Sequence, residues 1–116
     1  MRVTQINHCR FCVDLNAATL LRRGIGEHKL WALERWRESN LFDRRERVAL
    51  EYADAITLSD VEVTDDVRAR VKQQFDDDAI ELTALIAFQN MPSKFNAALD
   101  VPPQGFCRLP RSGASQ

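Results

Sequence analysis

The sequence predicts an all-α protein, a helical bundle of about five helices. Apolar residues recur at spacings of three and four along most of the chain, which is the period of an amphipathic helix. Capping residues stand ahead of these segments, and the 116 residues include only four glycines and four prolines. A chain of this length supports one compact domain. We predict a domain over residues 1–100, followed by an irregular C-terminal tail over residues 101–116.

The first helical segment spans roughly residues 2–23, and Gly24 provides its stop. Two interpretations of its beginning stay open. It is either one unbroken helix, or it breaks at Asn7, whose side chain can accept hydrogen bonds from amides two or three residues on. In the second case Cys9 and Cys12 lie in the first turns of a new helix.

The next two helices follow from apolar spacing and from a capping signal. A second helix is predicted over about residues 27–38, with its apolar residues on one side. Asp43, followed three residues later by Glu46, has the form of a capping box and opens a helix that reaches about Leu58. We predict that one apolar residue in each turn of this helix is buried. The candidates are Val48 or Ala49, Tyr52 or Ala53, and Ile56.

The last two helices also begin at capping residues. Thr64 can cap a helix whose apolar residues repeat every four positions. Asp78, with Glu81 three residues later, is predicted to open the final helix. Pro92 lacks an amide proton, and its ring clashes with the preceding turn. Because apolar spacing resumes beyond Pro92, we predict a kink there rather than an end.

The charge balance excludes several classes of partner. The 16 basic side chains nearly cancel the 17 acidic ones, so no basic field exists to hold nucleic acid or an anionic membrane surface. The first residues lack the apolar core and cleavage pattern of a secretory signal. No apolar stretch reaches the length of a bilayer span. We therefore predict a cytoplasmic protein with no nucleic-acid partner and no membrane partner.

The stretch NHCRFCVDLN contains the clearest chemical signal of the chain. Its two cysteines, Cys9 and Cys12, stand three apart, and on a helix this spacing places both on one face. Such a dithiol can close a disulfide, and it reacts through its thiolate form. Two other interpretations stay open, namely small core residues or half of a zinc site. Zinc needs two further ligands, and Cys107, His8 and His28 offer no closely spaced pair, so we predict no metal.

Several other side chains receive a structural interpretation. Glu51 and Asp54 lie beside a predicted apolar face and are expected to be solvated. Trp31 and Trp36 are expected to anchor the core or an interface. Cys107 lies past two prolines and far in sequence from the dithiol, and it is expected to be a bystander.

Two segments, RVTQINHCRFCVDLNAA and FDDDAIELTALIAFQNMPSKFNAAL, carry a family resemblance. They resemble the dithiol core and the terminal helix of the carboxymuconolactone decarboxylase superfamily, in its alkylhydroperoxidase D (AhpD)-like branch. The resemblance implies an all-helical protein that assembles into trimers or hexamers and reduces peroxides, and we expect no cofactor. It also implies that Cys12 becomes a sulfenic acid. Cys9 would donate a proton and then resolve that acid as a disulfide.

Two positions depart from the pattern of this branch. Its relay histidine corresponds to Asn16, whose amide can hydrogen-bond a thiolate but takes up no proton at neutral pH. The glutamate that orients the histidine falls before Met1. His8 could serve as a base only from another helix or subunit, because consecutive helical residues point about 100° apart and His8 does not face Cys12 by spacing. The same holds for His28.

We therefore expect a weak thiol peroxidase or disulfide oxidoreductase, provided that both sulfurs lie near solvent. The alternative is a non-enzymatic oligomeric or redox-responsive binding protein on the same scaffold. A lactone decarboxylase is less favoured, because that activity does not depend on the dithiol. The expected partners are a peroxide or disulfide substrate, an unidentified thiol reductant and further copies of the chain. Uncovered apolar helix faces favour a dimer, trimer or hexamer, with the dithiol close to a subunit interface.

Overall fold

The computed structural model describes residues 1–108 and contains no strand among them. The order of its elements is α1 (Arg2–Ile6), α2 (Arg10–Arg22), α3 (Glu27–Ala32), a 3-10 segment (Leu33–Glu38), α4 (Arg44–Thr57), α5 (Asp65–Phe75) and α6 (Asp78–Ala98). The all-α prediction is confirmed. Residues 101–108 carry no helix, and the rest of the predicted tail, residues 109–116, lies outside the described residues. Within the described part, no helix is both long and apolar enough to cross a bilayer.

The first helical segment is not one unbroken helix. It is divided into α1 and α2, as in the interpretation that placed a break near Asn7. His8 lies between α1 and α2 with a φ of 56°, in the left-handed region that ends a right-handed helix. Cys9, rather than Asn7, is the N-cap of α2. The side-chain amide of Asn7 instead donates to Asn90 and Ser93 of α6, at 2.9 and 2.8 Å. The break therefore fixes the dithiol at a helix N-terminus.

Local capping explains where α4 and α5 begin. Asp43 accepts from the amide of Glu46 at 2.8 Å, and the Glu46 carboxylate accepts from the amide of Asp43 at 3.2 Å, which is the predicted capping box. Thr64 caps α5 by accepting from the amide of Val67 at 3.2 Å. The helix α6 begins at Asp78, as predicted, but its N-cap is Asp77, whose side chain makes no capping hydrogen bond.

The predicted second helix is regular only in its first half. After α3 the chain tightens into the 3-10 segment, where Arg35 has a non-helical backbone with φ −123° and ψ 44°. This break accompanies the turning of Trp36 into the interior, where its indole N–H donates to Asp54 at 3.1 Å. The side chain of Trp36 is buried, in agreement with its predicted anchoring role.

The helix α4 lies at the centre of the core. One apolar cluster joins it to α1 and α6 through Val3, Ala53 and Ile86, and a second joins it to α5 through Val48, Val67 and Val71. Tyr52 and Leu82 pack against both clusters. Burial of Val48 and Ala53 confirms the predicted face of α4. These contacts pack α1 and α6 together next to the dithiol segment.

The helix α6 continues through Pro92, so the proline does not end it. The hydroxyl of Ser93 donates to the carbonyl of Gln89 at 2.7 Å, one turn back. One side of α6 is left uncovered by the rest of the described chain. Its exposed large apolar residues are Ile80, Leu85, Phe88, Met91, Phe95 and Leu99.

Candidate redox site

Cys9 and Cys12 are joined as a disulfide across the first turn of α2, with their Cα atoms 5.2 Å apart. Cys9 has an extended backbone as N-cap, and the helix begins at the next residue. Three residues then bring the second sulfur back to the first. The pair can therefore cycle between a disulfide and a dithiol, a change of two electrons.

The sulfur of Cys9 occupies the place of a helix-capping side chain. It accepts a hydrogen bond from the amide of Cys12 at 3.2 Å, and the amide of Cys9 donates to the carbonyl of Thr4 at 3.1 Å. Unpaired amides and the helix dipole favour negative charge at this end of a helix. The amide of Cys12 is therefore placed to stabilise negative charge on the Cys9 sulfur once that sulfur has lost its proton.

Both cysteines are enclosed by the chain. Cys9 is 1% exposed and Cys12 is 5% exposed. The expectation of two sulfurs near solvent is therefore wrong for this monomer, because the turn between α1 and α2 is held against α6. Of the two cysteines, Cys12 is the more accessible.

The polar group that reaches the dithiol comes from α6. The side-chain amide of Asn96 points its Nδ2 at the sulfur of Cys12, 3.8 Å away. Asn16, at the relay position, makes no hydrogen bond to either sulfur among the described residues. His8 is exposed beside the disulfide, and His28 is exposed at the start of α3. The structure thus brings neither histidine to the sulfurs through a hydrogen bond.

Asn96 belongs to a row of polar residues on one side of α6, together with Asn90 and Ser93. Asn7 donates to both Asn90 and Ser93, and the amide of Asn90 donates to Thr57 of α4 at 3.2 Å. This network fixes the turn that precedes the disulfide. The spacing of three between Asn90, Ser93 and Asn96 was the signal in the sequence that could have identified the row.

Residues 104–107, here called the C-terminal strap, are fastened to the other side of α2. Asp14, which is 3% exposed, accepts from the amides of Gln104, Phe106 and Cys107 at 3.1, 2.9 and 2.8 Å. Burial raises the pKa of Asp14, but the backbone hydrogen bonds outweigh it and hold the pKa below its ordinary value. The Phe106 ring also meets Phe11 edge to face, with centroids 6.3 Å apart. Cys107 keeps a free thiol.

Asp54 is not solvated, so the expectation for this residue is wrong. It is 3% exposed and accepts from Arg2 at 2.7 Å and from Arg37 at 2.6 Å, besides Trp36. Burial raises the pKa of Asp54, and the hydrogen bonds from the two arginines lower it to below its ordinary value. Glu51 is also engaged, in an ion pair with an arginine of α5. Both carboxylates therefore hold the fold together.

Metal binding finds no support in residues 1–108. No group of three or more histidine, cysteine or acidic side chains in this range is arranged to hold an ion.

Comparison with known proteins shows that the residues around this site match a protein family. Residues 1–55, which include the dithiol, match the carboxymuconolactone decarboxylase family. The uncharacterized protein YnjA of Escherichia coli strain K12 is 44% identical over 110 residues, covering 94% of this chain and 60% of YnjA. The uncharacterized protein YdfG of Bacillus subtilis strain 168 is 29% identical over 101 residues, covering 85% of this chain and 69% of YdfG.

A third relative matches this chain over a shorter region. The uncharacterized protein Rv2313c of Mycobacterium tuberculosis strain H37Rv is 37% identical over 78 residues, covering 66% of this chain and 28% of the relative. The chain thus spans about three-fifths of the length of YnjA. With the family match over the dithiol and an all-helical fold around it, residues 1–55 of this chain belong to the carboxymuconolactone decarboxylase superfamily.

Proposed function

We propose that this chain is an AhpD-like dithiol oxidoreductase that reduces hydroperoxides, or exchanges disulfides, through Cys9 and Cys12. The observation that carries the proposal is the Cys9–Cys12 disulfide at the N-terminus of α2, inside the region that matches the family. The cycle needs no cofactor. It suits a reducing compartment such as the cytoplasm, where a cellular thiol can return the disulfide to the dithiol.

In the proposed peroxide step Cys12 is the nucleophile. Its thiolate attacks one peroxide oxygen, the O–O bond breaks, and Cys12 becomes a sulfenic acid. The thiol of Cys9 gives its proton to the departing alkoxide or hydroxide, which leaves as alcohol or water. The greater exposure of Cys12 supports this assignment, as does the contact of Asn96 with its sulfur.

In the resolving step the Cys9 thiolate attacks the sulfur of the sulfenic acid. The S–S bond forms, and the hydroxide released takes a proton from solvent to give water. Two external thiols then reduce the disulfide and are themselves oxidised to a disulfide. The position of Cys9 as a helix cap supports its role, because the amide of Cys12 stabilises negative charge on its sulfur.

Asn16 occupies the position of the family's relay histidine and cannot carry a proton. The proton for the departing oxygen must therefore come from Cys9. Asn96 can hydrogen-bond a thiolate on Cys12, but it takes up no proton. Enclosure of both sulfurs also favours a substrate as small as hydrogen peroxide. We therefore expect slow turnover, with the dithiol serving as its own proton donor.

The proposal is tested with the reduced protein in a Cys107→Ser background, so that the dithiol contains the only thiols. Hydrogen peroxide should remove two hydrogens from the peptide that contains Cys9 and Cys12, as read by mass spectrometry. In the presence of a thiol reductant, the protein should consume peroxide over many turnovers. An unchanged mass under excess peroxide would show that the dithiol is inert.

That result would favour a second candidate function, a non-enzymatic binding protein on the same scaffold. The observation in its favour is the burial of both cysteines, since free and bonded cysteines also serve as small core residues. In this case the disulfide would still fix the start of α2.

We further propose that the chain forms a homo-oligomer through α6. Exposed residues on this helix (Ala84, Phe88, Met91, Phe95 and Ala98) recur at alternating spacings of four and three, as in the seam of a coiled coil. Such a seam fits α6 of a second copy of the chain better than it fits an irregular surface. Asn96 lies between two of these positions, so an α6 interface would also lie next to the dithiol.

The oligomer is expected to dissociate when Phe88 is replaced by glutamate. Phe88 is 69% exposed in the monomer, so Phe88→Glu costs the monomer little, but it would place an unpaired carboxylate in the interface. Light scattering after size exclusion should give a multiple of 13.3 kDa for the wild type and 13.3 kDa for the variant. Leu41→Glu, at an exposed residue outside α6, is the matched control and should stay oligomeric. A monomeric wild type would contradict this proposal.

A further inference from the structure

A second concave site lies apart from the dithiol, between the 3-10 segment, α4 and α5. It is a cavity of about 600 Å³, open to solvent, and four of its seven lining residues are arginines. Glu51 is the single acidic residue among them. This volume lies in the range of small-molecule sites, about 300–1,000 Å³.

Two of the four guanidinium groups are already paired with carboxylates. Arg37 pairs with the buried carboxylate of Asp54 at 2.6 Å. Arg70 forms a two-pronged pair with Glu51 and also binds Asp66 at 2.9 Å. The carboxylate of Glu51 is therefore engaged and does not cancel a further charge in the cavity.

The other two charges, on Arg44 and Arg47, have no carboxylate partner among the described residues. Arg47 donates to three backbone carbonyls, those of residues 36, 37 and 39, at 3.3, 3.1 and 2.8 Å. A guanidinium has five N–H donors, so Arg47 is held in place and keeps two donors. Arg44 makes no ion pair within residues 1–108 and keeps all of its donors.

Arg44 and Arg47 stand three apart on α4, so their side chains lie on the same face of the helix. Like charges at this spacing repel one another, which raises the free energy of the empty site. An anion placed between them would remove this repulsion. The planar guanidinium fork also matches the oxygens of a carboxylate or a phosphate.

We propose that this cavity binds a small dianion of the phosphate or dicarboxylate type, held between Arg44 and Arg47. Two uncompensated positive charges match two negative charges. The site is partly pre-organised, because Arg47 is fixed by carbonyls and the guanidinium of Arg37 is stacked on Trp36 at 4.1 Å. It is independent of the dithiol chemistry, and failure of either proposal leaves the other standing.

Inorganic phosphate and malonate are the probes, added separately at constant ionic strength with chloride as the balancing anion. At least one of them should raise the thermal midpoint of the intact protein in a saturable manner. The same titration should change the fluorescence of Trp36, which lines the cavity. The anion that binds identifies the class of ligand.

Arg44→Gln should weaken this binding roughly tenfold or more, because it removes a charge-assisted contact. It should leave the stability of the empty protein unchanged or slightly raised, since it also removes the repulsion with Arg47. Arg47→Gln should have the same effect on binding, with some loss of stability from its carbonyl contacts. Arg45→Gln is the matched control, with the same change of charge on the same helix but outside the cavity.

The proposal is overturned if neither anion stabilises the protein beyond chloride. It is also overturned if Arg44→Gln and Arg45→Gln respond to the anions as strongly as the wild type does.

Discussion

Replacement of Cys12 by serine is expected to abolish peroxide reduction, whereas replacement of Cys9 is expected to leave one slow turnover. Without Cys12 the proposed nucleophile is lost, and Cys9 is 1% exposed at the helix cap. Without Cys9 the attack by Cys12 can still occur, but it lacks its proton donor and should slow roughly a hundredfold or more. The oxidised Cys12 then has no partner and should persist as a sulfenic acid.

This asymmetry is measured with Cys9→Ser and Cys12→Ser in the Cys107→Ser background. A sulfenic-acid-trapping reagent and mass spectrometry should label Cys12 in the first variant and nothing in the second. Circular dichroism provides the folding control for both. Labelling of Cys9 in the Cys12→Ser protein would reverse the two roles while leaving the dithiol chemistry intact.

Asp54→Ala is expected to produce the largest loss of stability of any single change considered, about 3 kcal/mol. Removal of one partner from a buried ion pair costs about 3–5 kcal/mol. We expect the lower end, because the side chain of Arg37 is 57% exposed and keeps part of its hydration. Urea denaturation gives the free energy of unfolding. Arg10→Ala, which breaks an exposed pair with Asp100, is the control and should cost less than about 1 kcal/mol.

The contribution of Asp54 should also depend on pH. Because the folded protein holds the pKa of this carboxyl below its ordinary value, the unfolded chain takes up the proton first as the pH falls. The stabilisation is complete above the unfolded pKa of about 4, and it is lost as the pH drops through the folded value. The difference between wild type and Asp54→Asn should therefore shrink below about pH 4. A difference independent of pH would contradict the assignment.

Short-range patterns in the sequence are sufficient to predict where α4 and α5 begin. Asp43 with Glu46, and Thr64 with an amide of its own helix, act within one turn, so both partners lie in a few consecutive letters. Cys9 caps α2 in the same way. Cysteine is not a preferred capping residue, however, and the pattern pointed to Asn7, whose side chain has a more distant partner.

Long-range pairings are what the sequence could not supply. Asp54 was expected in solvent although it lies beside the apolar face of its helix, and its partner Arg2 lies 52 residues away. Asn96, which contacts the sulfur of Cys12, lies 84 residues beyond it. Such contacts depend on how α1, α4 and α6 pack, and no periodicity within one helix contains that information. The dithiol, by contrast, was identified from the spacing of Cys9 and Cys12, because its motif is contiguous.

The hydrogen bonds of Asp14 join parts of the chain that are 90 or more residues apart. The C-terminal strap has no helical hydrogen bonds of its own. Three of its backbone amides instead donate to the carboxylate of Asp14, two positions beyond Cys12. In residues 104–107 the irregular backbone is therefore held in place. Any movement of the dithiol helix relative to the strap would have to break these hydrogen bonds.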